Sequence, residues 1–244
     1  MGGIATEIKK LGAGAVDLVL PPRCPACREI VTQDGNFCAD CFATLGFITD
    51  PACASCGLPF DVDAGDEALC GDCAANPKPY VRARAAFRYD GAIVPLLLGF
   101  KHGGRTHLAK LLAAQMRRLM PEAGEVDVLV PVPLDRRRLF KRGYNQAGMI
   151  ALALGRATDV PVAVDGLVRV KPTASTAGLS RAGRFRAAQG AFKAEGSRFA
   201  GQRVVLVDDV MTTGATAEAA SRALIRGGAE AVVVLIAARA VRTD

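Results

Sequence analysis

The stretch VVLVDDVMTTGAT, residues Val204 to Thr216, decides the fold of the chain. Its four apolar residues predict a buried strand, two adjacent carboxylates follow, and a Thr/Gly loop leads into a helix-like segment. Two acids at the end of a buried strand cost free energy, so we expect Asp208 and Asp209 to bind a ligand. A purely structural interpretation is that one acid caps the next helix while the other faces solvent.

The loop after the two acids has the chemistry of a phosphate receptor. Backbone N–H groups at a helix start, threonine hydroxyls and small residues together suit a phosphate dianion. The carboxylates would repel that phosphate, but they suit a neutral diol attached to it, because ribose hydroxyls donate hydrogen bonds to acids. Hydroxyls held in this way can also ligate Mg²⁺. The candidate binding residues of this loop are Val210, Met211, Thr212, Thr213, Gly214, Ala215 and Thr216.

Strand-like and helix-like segments alternate along the chain after Arg82. Strands are predicted in residues 83–91, 126–134 and 203–209, a strand pair in 161–170, and a last strand in 229–239. Helices are predicted in residues 107–120, 144–158 and 216–228. This alternation predicts an α/β fold with a doubly wound, mainly parallel sheet. Ligands of such sheets bind beyond the carboxyl ends of the strands, which is where the two acids lie.

The eight cysteines form four CxxC pairs in a separate N-terminal module. Two such pairs supply four thiolates to one tetrahedral zinc, and a closed set of four sulfurs makes the metal structural. The chain order favours two zinc ribbons, with interleaved pairing or a vacant site left open as alternatives. A disulfide scaffold lacks an export signal, and a thioredoxin-like pair needs one CxxC in a βαβ unit. The candidate ligands are Cys24, Cys27, Cys38 and Cys41 for one ion, and Cys53, Cys56, Cys70 and Cys73 for the other.

Composition and charge restrict the location and the partners of the chain. The net charge of +7 indicates an anionic partner, which can be a phosphorylated small molecule or a nucleic acid. No apolar run approaches the roughly 18 residues of a membrane span, so no membrane partner is expected. Residues 1–20 predict an amphipathic helix and not a signal peptide, because Asp17 interrupts the apolar part. We therefore expect a cytoplasmic protein.

The strand, the two acids and Thr-Thr-Gly-Ala-Thr together resemble the phosphoribosyl pyrophosphate (PRPP) signature of type I phosphoribosyltransferases. Within this class, the chain most resembles the ComF family, which are competence-protein-F-like proteins with an N-terminal double zinc ribbon. It rests on the four CxxC pairs, FKHGG at 100–104, PVPLDRRRLFKRGYNQA at 131–147 and the terminal AVVVLIAARA. It covers nearly the whole chain.

The resemblance implies roles for particular residues. Asp208 and Asp209 would be the catalytic pair that contacts ribose in Mg²⁺-bound PRPP, and residues 212–216 would hold the 5′-phosphate. The turn at 131–135 corresponds to the pyrophosphate loop, and the basic residues after it would neutralise the diphosphate, unless they only form a solvated helix start. The further binding candidates are Pro131, Val132, Pro133, Leu134, Arg138, Lys141, Arg142 and Lys101, of which Lys101 can also be an ordinary surface lysine.

The segment between Arg169 and Phe192 departs from the family pattern. A glutamine and an asparagine are usual at two positions that here hold Thr176 and Ala187. The family places a mobile loop over the active site in this segment. If the polar residues of this loop bind a second substrate in the family, this chain binds a different second substrate or none.

Two functions follow, on a common domain organisation of an N-terminal helix (1–20), a double zinc ribbon (21–76) and a phosphoribosyltransferase-like domain (80–244). The first function is an enzyme that transfers phosphoribosyl from PRPP to an acceptor. The second is a non-catalytic module that binds PRPP or a nucleotide, and engages single-stranded DNA or a protein of DNA uptake. The resemblance implies an association with natural transformation. No residue of the sequence indicates an acceptor pocket.

Overall fold

The computed structural model describes residues 21–33, 35–122, 124–171 and 180–241. The helix predicted for residues 1–20 and the departure at Thr176 lie outside these ranges. The helices are α1 (Ala39–Ala43), α2 (Gly71–Ala75), α3 (Ile93–His102), α4 (Leu108–Arg117), α5 (Arg136–Arg142), α6 (Gln146–Thr158), α7 (Arg181–Ala188) and α8 (Ala215–Arg226). The strands are β1 (Arg82–Arg88), β2 (Val128–Pro131), β3 (Leu167–Arg169), β4 (Phe192–Ala194), β5 (Arg203–Met211) and β6 (Ala231–Arg239).

A parallel sheet with the strand order β1-β6-β5-β2 forms the centre of the fold. Successive residues of a strand point to opposite faces, so β5 contributes to two cores. Val204 and Leu206 pack on one face with α8, whereas Val205 and Val207 pack on the other face with α3, α4 and α6. Helices therefore cover both faces, which confirms the predicted doubly wound α/β architecture.

The strand pair predicted in residues 161–170 is only partly correct. Its second half forms β3, which pairs antiparallel with β4 in a separate two-stranded sheet. Its first half makes a single bridge, between Val162 and Leu129, beside β2. Helix α3 was not predicted, because the run IVPLLLGF is apolar almost throughout and shows no polar face. Its proline stands in the first helical turn, where no intrahelical N–H bond is lost.

The two cysteine-rich segments pack against the first strand of the sheet. The Ile48 N–H donates to the Ala86 carbonyl, and the Ala83 N–H donates to the Ser55 carbonyl. Phe47 packs against Phe87 with ring centroids 4.9 Å apart. Hydrogen bonds and aromatic packing thus attach both segments to β1. Of the helices in the described ranges, none is long and apolar enough to cross a membrane.

Candidate functional site

The two acids lie where β5 extends past its neighbour. The pairing of β2 with β5 ends at Pro131 and Val207, while β5 continues beside β6 as far as Met211. Asp208 and Asp209 therefore lie inside β5, as the strand predicted for residues 203–209 implied, and they lie beyond the end of β2. The two acids therefore lie at the carboxyl-end edge of the sheet, where ligands of doubly wound sheets bind.

Lys101 reaches the acids from the last turn of α3. Its Nζ lies 3.2 Å from Oδ2 of Asp209, and the two side chains are only 20% and 14% exposed. The end of α3 is held by the Tyr144 hydroxyl, which donates to the carbonyl of Phe100. The structure thus places the predicted binding lysine in a partly buried ion pair with one of the two acids.

Asp208 has a proton affinity unlike that of an ordinary carboxyl. Burial and the adjacent Asp209 raise the pKa of Asp208 to about 7. The Asp209 N–H, which donates to Oδ1 of Asp208 at 2.8 Å, opposes this rise, as do the nearby charges of Lys101 and Arg169. At neutral pH the site can therefore gain or lose a proton at Asp208.

The loop after β5 turns sharply into α8. Gly214 stands at the helix N-cap with φ +82°, a conformation that strains residues with a side chain. The Thr213 hydroxyl accepts a 3.5 Å bond from the N–H of Ala215, and Thr212 is exposed. The first turn of a helix leaves backbone N–H groups without partners inside the helix. Residues 212–216, which the sequence predicts as an anion receptor, form this loop and the first residues of α8. Neither Asp208 nor Asp209 caps α8, since Gly214 is the N-cap residue and no side chain caps the helix.

The turn after β2 lies next to the acids and leads into α5. The Asn145 side chain donates to the carbonyl of Val132 at 3.0 Å and fixes this turn. Asp135 caps α5 by accepting from the N–H of Arg137 at 3.0 Å. Arg142 donates to the side chain of Gln146 at 3.1 Å, so it braces the end of α5. Arg138 and Lys141 are exposed along the same helix.

Sequence reasoning did not assign a role to two arginines at the site. Burial and the charge of Arg138 lower the pKa of Arg169, whereas the charges of Asp135 and Asp208 oppose this shift. These four side chains therefore lie close together. Arg184 donates to the Thr212 hydroxyl at 3.2 Å from α7. Both contacts link residues that are far apart in the chain, so no local sequence pattern indicates them. Ala187, one of the two departures, lies half-buried in α7.

The cysteines form two clusters in the predicted chain order. Cys24, Cys27, Cys38 and Cys41 make the first cluster, and Cys53, Cys56, Cys70 and Cys73 make the second, with sulfurs within 4.8 Å of one another in each. The Sγ atoms of Cys27 and Cys38 are 3.6 Å apart in the first cluster, and those of Cys56 and Cys70 are 3.7 Å apart in the second. A tetrahedron of four sulfurs about 2.3 Å from zinc has edges of about 3.8 Å, so both clusters fit a structural zinc ion.

The electrostatics of the second cluster call for a cation. Burial opposes ionisation of Cys53, but backbone N–H groups of Cys56, Cys70 and Ser55 lower its pKa to about 7. Burial and the neighbouring sulfurs raise the pKa of Cys73 well above its usual range. Four thiolates this close repel one another unless a positive ion lies between them, and a zinc ion would supply that charge.

Two known domain families match the chain. The double zinc ribbon domain matches residues 15–76, and the phosphoribosyl transferase domain matches residues 110–243. These matches define a phosphoribosyltransferase-fold protein with an N-terminal double zinc ribbon. Curated relatives that are 30% identical over 89% of this chain identify the family more specifically, and the chain belongs to the ComF family.

The relatives span almost the same length as this chain. The DNA utilization protein YhgH of Escherichia coli K12 is 30% identical over 89% of this chain and 96% of its own. Competence protein F of Haemophilus influenzae is 30% identical over 89% and 97%. Competence protein ComFC of Bacillus subtilis is 26% identical over 84% of each chain. Among solved structures, glutamine PRPP amidotransferase from B. subtilis is 28% identical, with a TM-score of 0.36, and covers 55% of this chain and 26% of its own.

Proposed function

We propose that the chain binds PRPP with Mg²⁺ at the carboxyl end of β5 and transfers its phosphoribosyl group to an acceptor. The observation that carries the proposal is the order of groups along β5 and α8. Asp208 and Asp209 lie where β5 passes β2, and the threonine loop follows at the N-terminus of α8. A diol and a phosphate in one molecule match an acid pair followed by an anion receptor.

Each part of PRPP has a counterpart among the described groups. We assign the ribose 2′ and 3′ hydroxyls to Asp208 and Asp209, and the 5′-phosphate to residues 212–216. Lys101 and Arg169 supply positive charge beside the acids, where the pyrophosphate of a ligand so placed would lie. The turn at 131–134 and Arg138 extend this charged edge. Without such cations, a ligand with several phosphates would be repelled by the acid pair.

Magnesium fits the donor set of the site. Carboxylate oxygens and sugar hydroxyls are the hard oxygen ligands that Mg²⁺ prefers, and Asp208 and Asp209 offer the former. The ion, when bound, stabilises the charge that develops on departing pyrophosphate. The chain's own part is to fix the ribose by its hydroxyls and to hold positive groups against the leaving group. Preorganised charge of this kind stabilises a transition state more than it stabilises the substrate.

The reaction is tested by incubating the purified protein with PRPP, Mg²⁺ and a panel of bases and amines. The bond between C1 and the pyrophosphate oxygen breaks, and C1 bonds to the acceptor, so released pyrophosphate reports turnover. The double variant Asp208→Ala/Asp209→Ala is the matched control and is expected to release none. PRPP binding without pyrophosphate release from any acceptor would favour the non-catalytic alternative.

A second candidate, binding of single-stranded DNA, is favoured by helix α5. This helix, RRRLFKR, buries none of its residues, and Phe140 is 93% exposed. Basic residues interleaved with an exposed aromatic ring suit a single strand, because cations meet the phosphates and the ring stacks on a base. The names of the relatives, which refer to DNA utilization and competence, accord with such a partner.

Fluorescence anisotropy with a labelled oligonucleotide tests the second candidate. Binding should be weak and should fall steeply between low and high salt, because released counterions drive it. Phe140→Ala should weaken binding by roughly 5- to 150-fold, because one stacked base contributes about 1–3 kcal/mol. Phe42→Ala, at another exposed phenylalanine, is the control. Salt-independent binding, or equal effects of the two variants, would reject α5 as the contact.

A further inference from the structure

Lys78 joins the second cysteine cluster to helix α8. This helix follows residues 212–216, which form the phosphate loop of the proposed site. Its Nζ lies 2.8 Å from Oδ2 of Asp72 and 3.0 Å from Oε1 of Glu218, and its side chain is 5% exposed. Asp72 stands between Cys70 and Cys73 in the last CxxC pair. Glu218 lies in the first turn of α8 and is 8% exposed at its side chain. One buried cation therefore connects this CxxC pair to the end of the loop.

Arg239 makes a second connection, at the other end of the loop. Its Nη1 donates to the carbonyl of Cys56 at 2.6 Å and lies 3.1 Å from the sulfur of Met211, while Nη2 lies 3.5 Å from Sγ of Cys56. Met211 is the last residue of β5 and directly precedes residues 212–216. The pairing of Met211 with Arg239 closes the ends of β5 and β6 around this contact.

The two connections hold the phosphate loop between them. Met211 precedes residues 212–216 and Glu218 follows them, and each is tied by one cation to a different CxxC pair of the second cluster. The ribbon also approaches the sheet closely, because a side chain at Gly57 would meet the Ala83 carbonyl at 2.5 Å. The spacing between the two CxxC pairs of this cluster thus bears on the spacing between the two ends of the loop.

The first cluster lies on a different core. Cys41, Ala26 and Phe37 pack with the core formed by α3, α4 and α6, on the opposite face of the sheet from α8. The sequence repeats the same CxxC spacing in both ribbons, yet the fold gives them different neighbours. A metal bound at the first cluster can stabilise its ribbon without acting on both ends of the loop.

We propose that metal occupancy of the second cysteine cluster sets the affinity of the phosphate loop, with Lys78 and Arg239 as the positioning residues that connect them. The inference rests on the proposed binding of a ribose phosphate at residues 212–216. Zinc holds the two CxxC pairs at a fixed separation, and the two cations transmit that separation to Met211 and Glu218. Loss of zinc from this cluster releases the loop and lowers its affinity for a phosphorylated ligand. The chain thereby responds at its ligand site to zinc supply.

Paired cysteine variants test the specificity of the coupling. Cys27→Ser and Cys70→Ser each remove one ligand, and each is expected to lose one zinc per chain. We expect Cys70→Ser to weaken the binding of PRPP with Mg²⁺ and of ribose 5-phosphate by roughly 5- to 150-fold, the usual range of coupling between sites. Cys27→Ser should bind both ligands as the unmodified protein does. Equal losses in the two variants, or no loss in either, would overturn the proposal.

Zinc release from the unmodified protein tests the same coupling without a destabilised variant. Coupling is reciprocal, so a ligand at the loop must retain zinc at the second cluster. In equilibrium competition with a chelating dye, saturating PRPP and Mg²⁺ should reduce the removal of one zinc per chain and leave removal of the other unchanged. Arg239→Met should bind zinc but lose this protection, whereas Arg198→Met, which breaks the exposed pair with Asp165, should keep it. Protection of both ions, or of neither, would contradict the coupling.

Calorimetry on the unmodified protein separates failure of the coupling from failure of the proposed function. PRPP and ribose 5-phosphate can bind while zinc removal is the same with and without PRPP and while Cys70→Ser binds both ligands as tightly as the unmodified protein. That result rejects only the coupling. If neither ligand binds the fully zinc-loaded protein, the proposed function and the coupling are rejected together.

Discussion

Replacing Asp208 by Asn should stabilise the fold while removing a group that the ligand needs. Asn keeps an oxygen that accepts the 2.8 Å bond from the Asp209 N–H, so the local geometry is retained. It removes a carboxyl whose pKa burial and Asp209 raise from 3.8 to about 7. A raised pKa in the folded protein is a stability contribution that is complete below pH 3.8 and lost as pH rises through 7.

The magnitude of this effect follows from the pKa difference. Three units at about 1.4 kcal/mol each give an upper limit of roughly 4 kcal/mol above pH 7. Asp208 is only half-buried, so solvent reduces the expected gain of Asp208→Asn to about 1–3 kcal/mol at pH 8. The gain should shrink steadily between pH 7 and pH 4, where the carboxyl of the folded protein is protonated.

Urea denaturation of both proteins at pH 8 and pH 5 measures the gain. Asp165→Asn is the control, because a backbone hydrogen bond and the Arg198 guanidinium lower the pKa of that exposed carboxyl. The control should show no gain at pH 8. A free-energy difference between Asp208→Asn and the unmodified protein that does not change with pH, or a loss at pH 8, would refute the account of Asp208.

Three further predictions concern the metal, the ion pair and the loop. Elemental analysis of the purified protein should give two zinc ions per chain, and one zinc, iron or intact disulfides would contradict the paired clusters. Lys101→Met should weaken PRPP binding in calorimetry by roughly 10-fold or more, because the acid pair loses its 3.2 Å cation, and unchanged affinity would remove Lys101 from the site. Gly214→Ala should lower stability by about 1–2 kcal/mol in thermal unfolding and weaken binding of inorganic phosphate, since φ +82° strains alanine, and a neutral effect on both would argue against the loop geometry.

The sequence predicted the elements whose periodicity is local. The apolar run of β5, the amphipathic pattern of α8 and the equal spacing of the CxxC pairs are each complete within a short segment, and the structure places all three as expected. Helix α3 was missed because its exposed positions carry the apolar residues Pro95 and Leu98, so the segment lacks the polar face that marks a helix.

The site could be predicted only in part for a similar reason. Residues 208–216 are contiguous, so their chemistry is legible in one stretch. The approach of Arg169 to Asp208, of Arg184 to Thr212 and of Lys78 to Glu218 depends on how distant segments pack, and no local pattern encodes it. Pairing between such residues becomes visible only once the topology is known.

Calorimetry of Asp208→Ala/Asp209→Ala with three ligands tests the central claim most directly. In the proposed complex these acids accept hydrogen bonds from the ribose hydroxyls, so the variant loses two charge-assisted hydrogen bonds of about 1.5–3 kcal/mol each. PRPP with Mg²⁺ and ribose 5-phosphate should therefore bind on the order of a hundredfold more weakly or worse. Inorganic phosphate, which contacts only residues 212–216, should bind as well as before or slightly better. Equal losses for phosphate and PRPP would contradict the account, because they would show that the acids only support the loop.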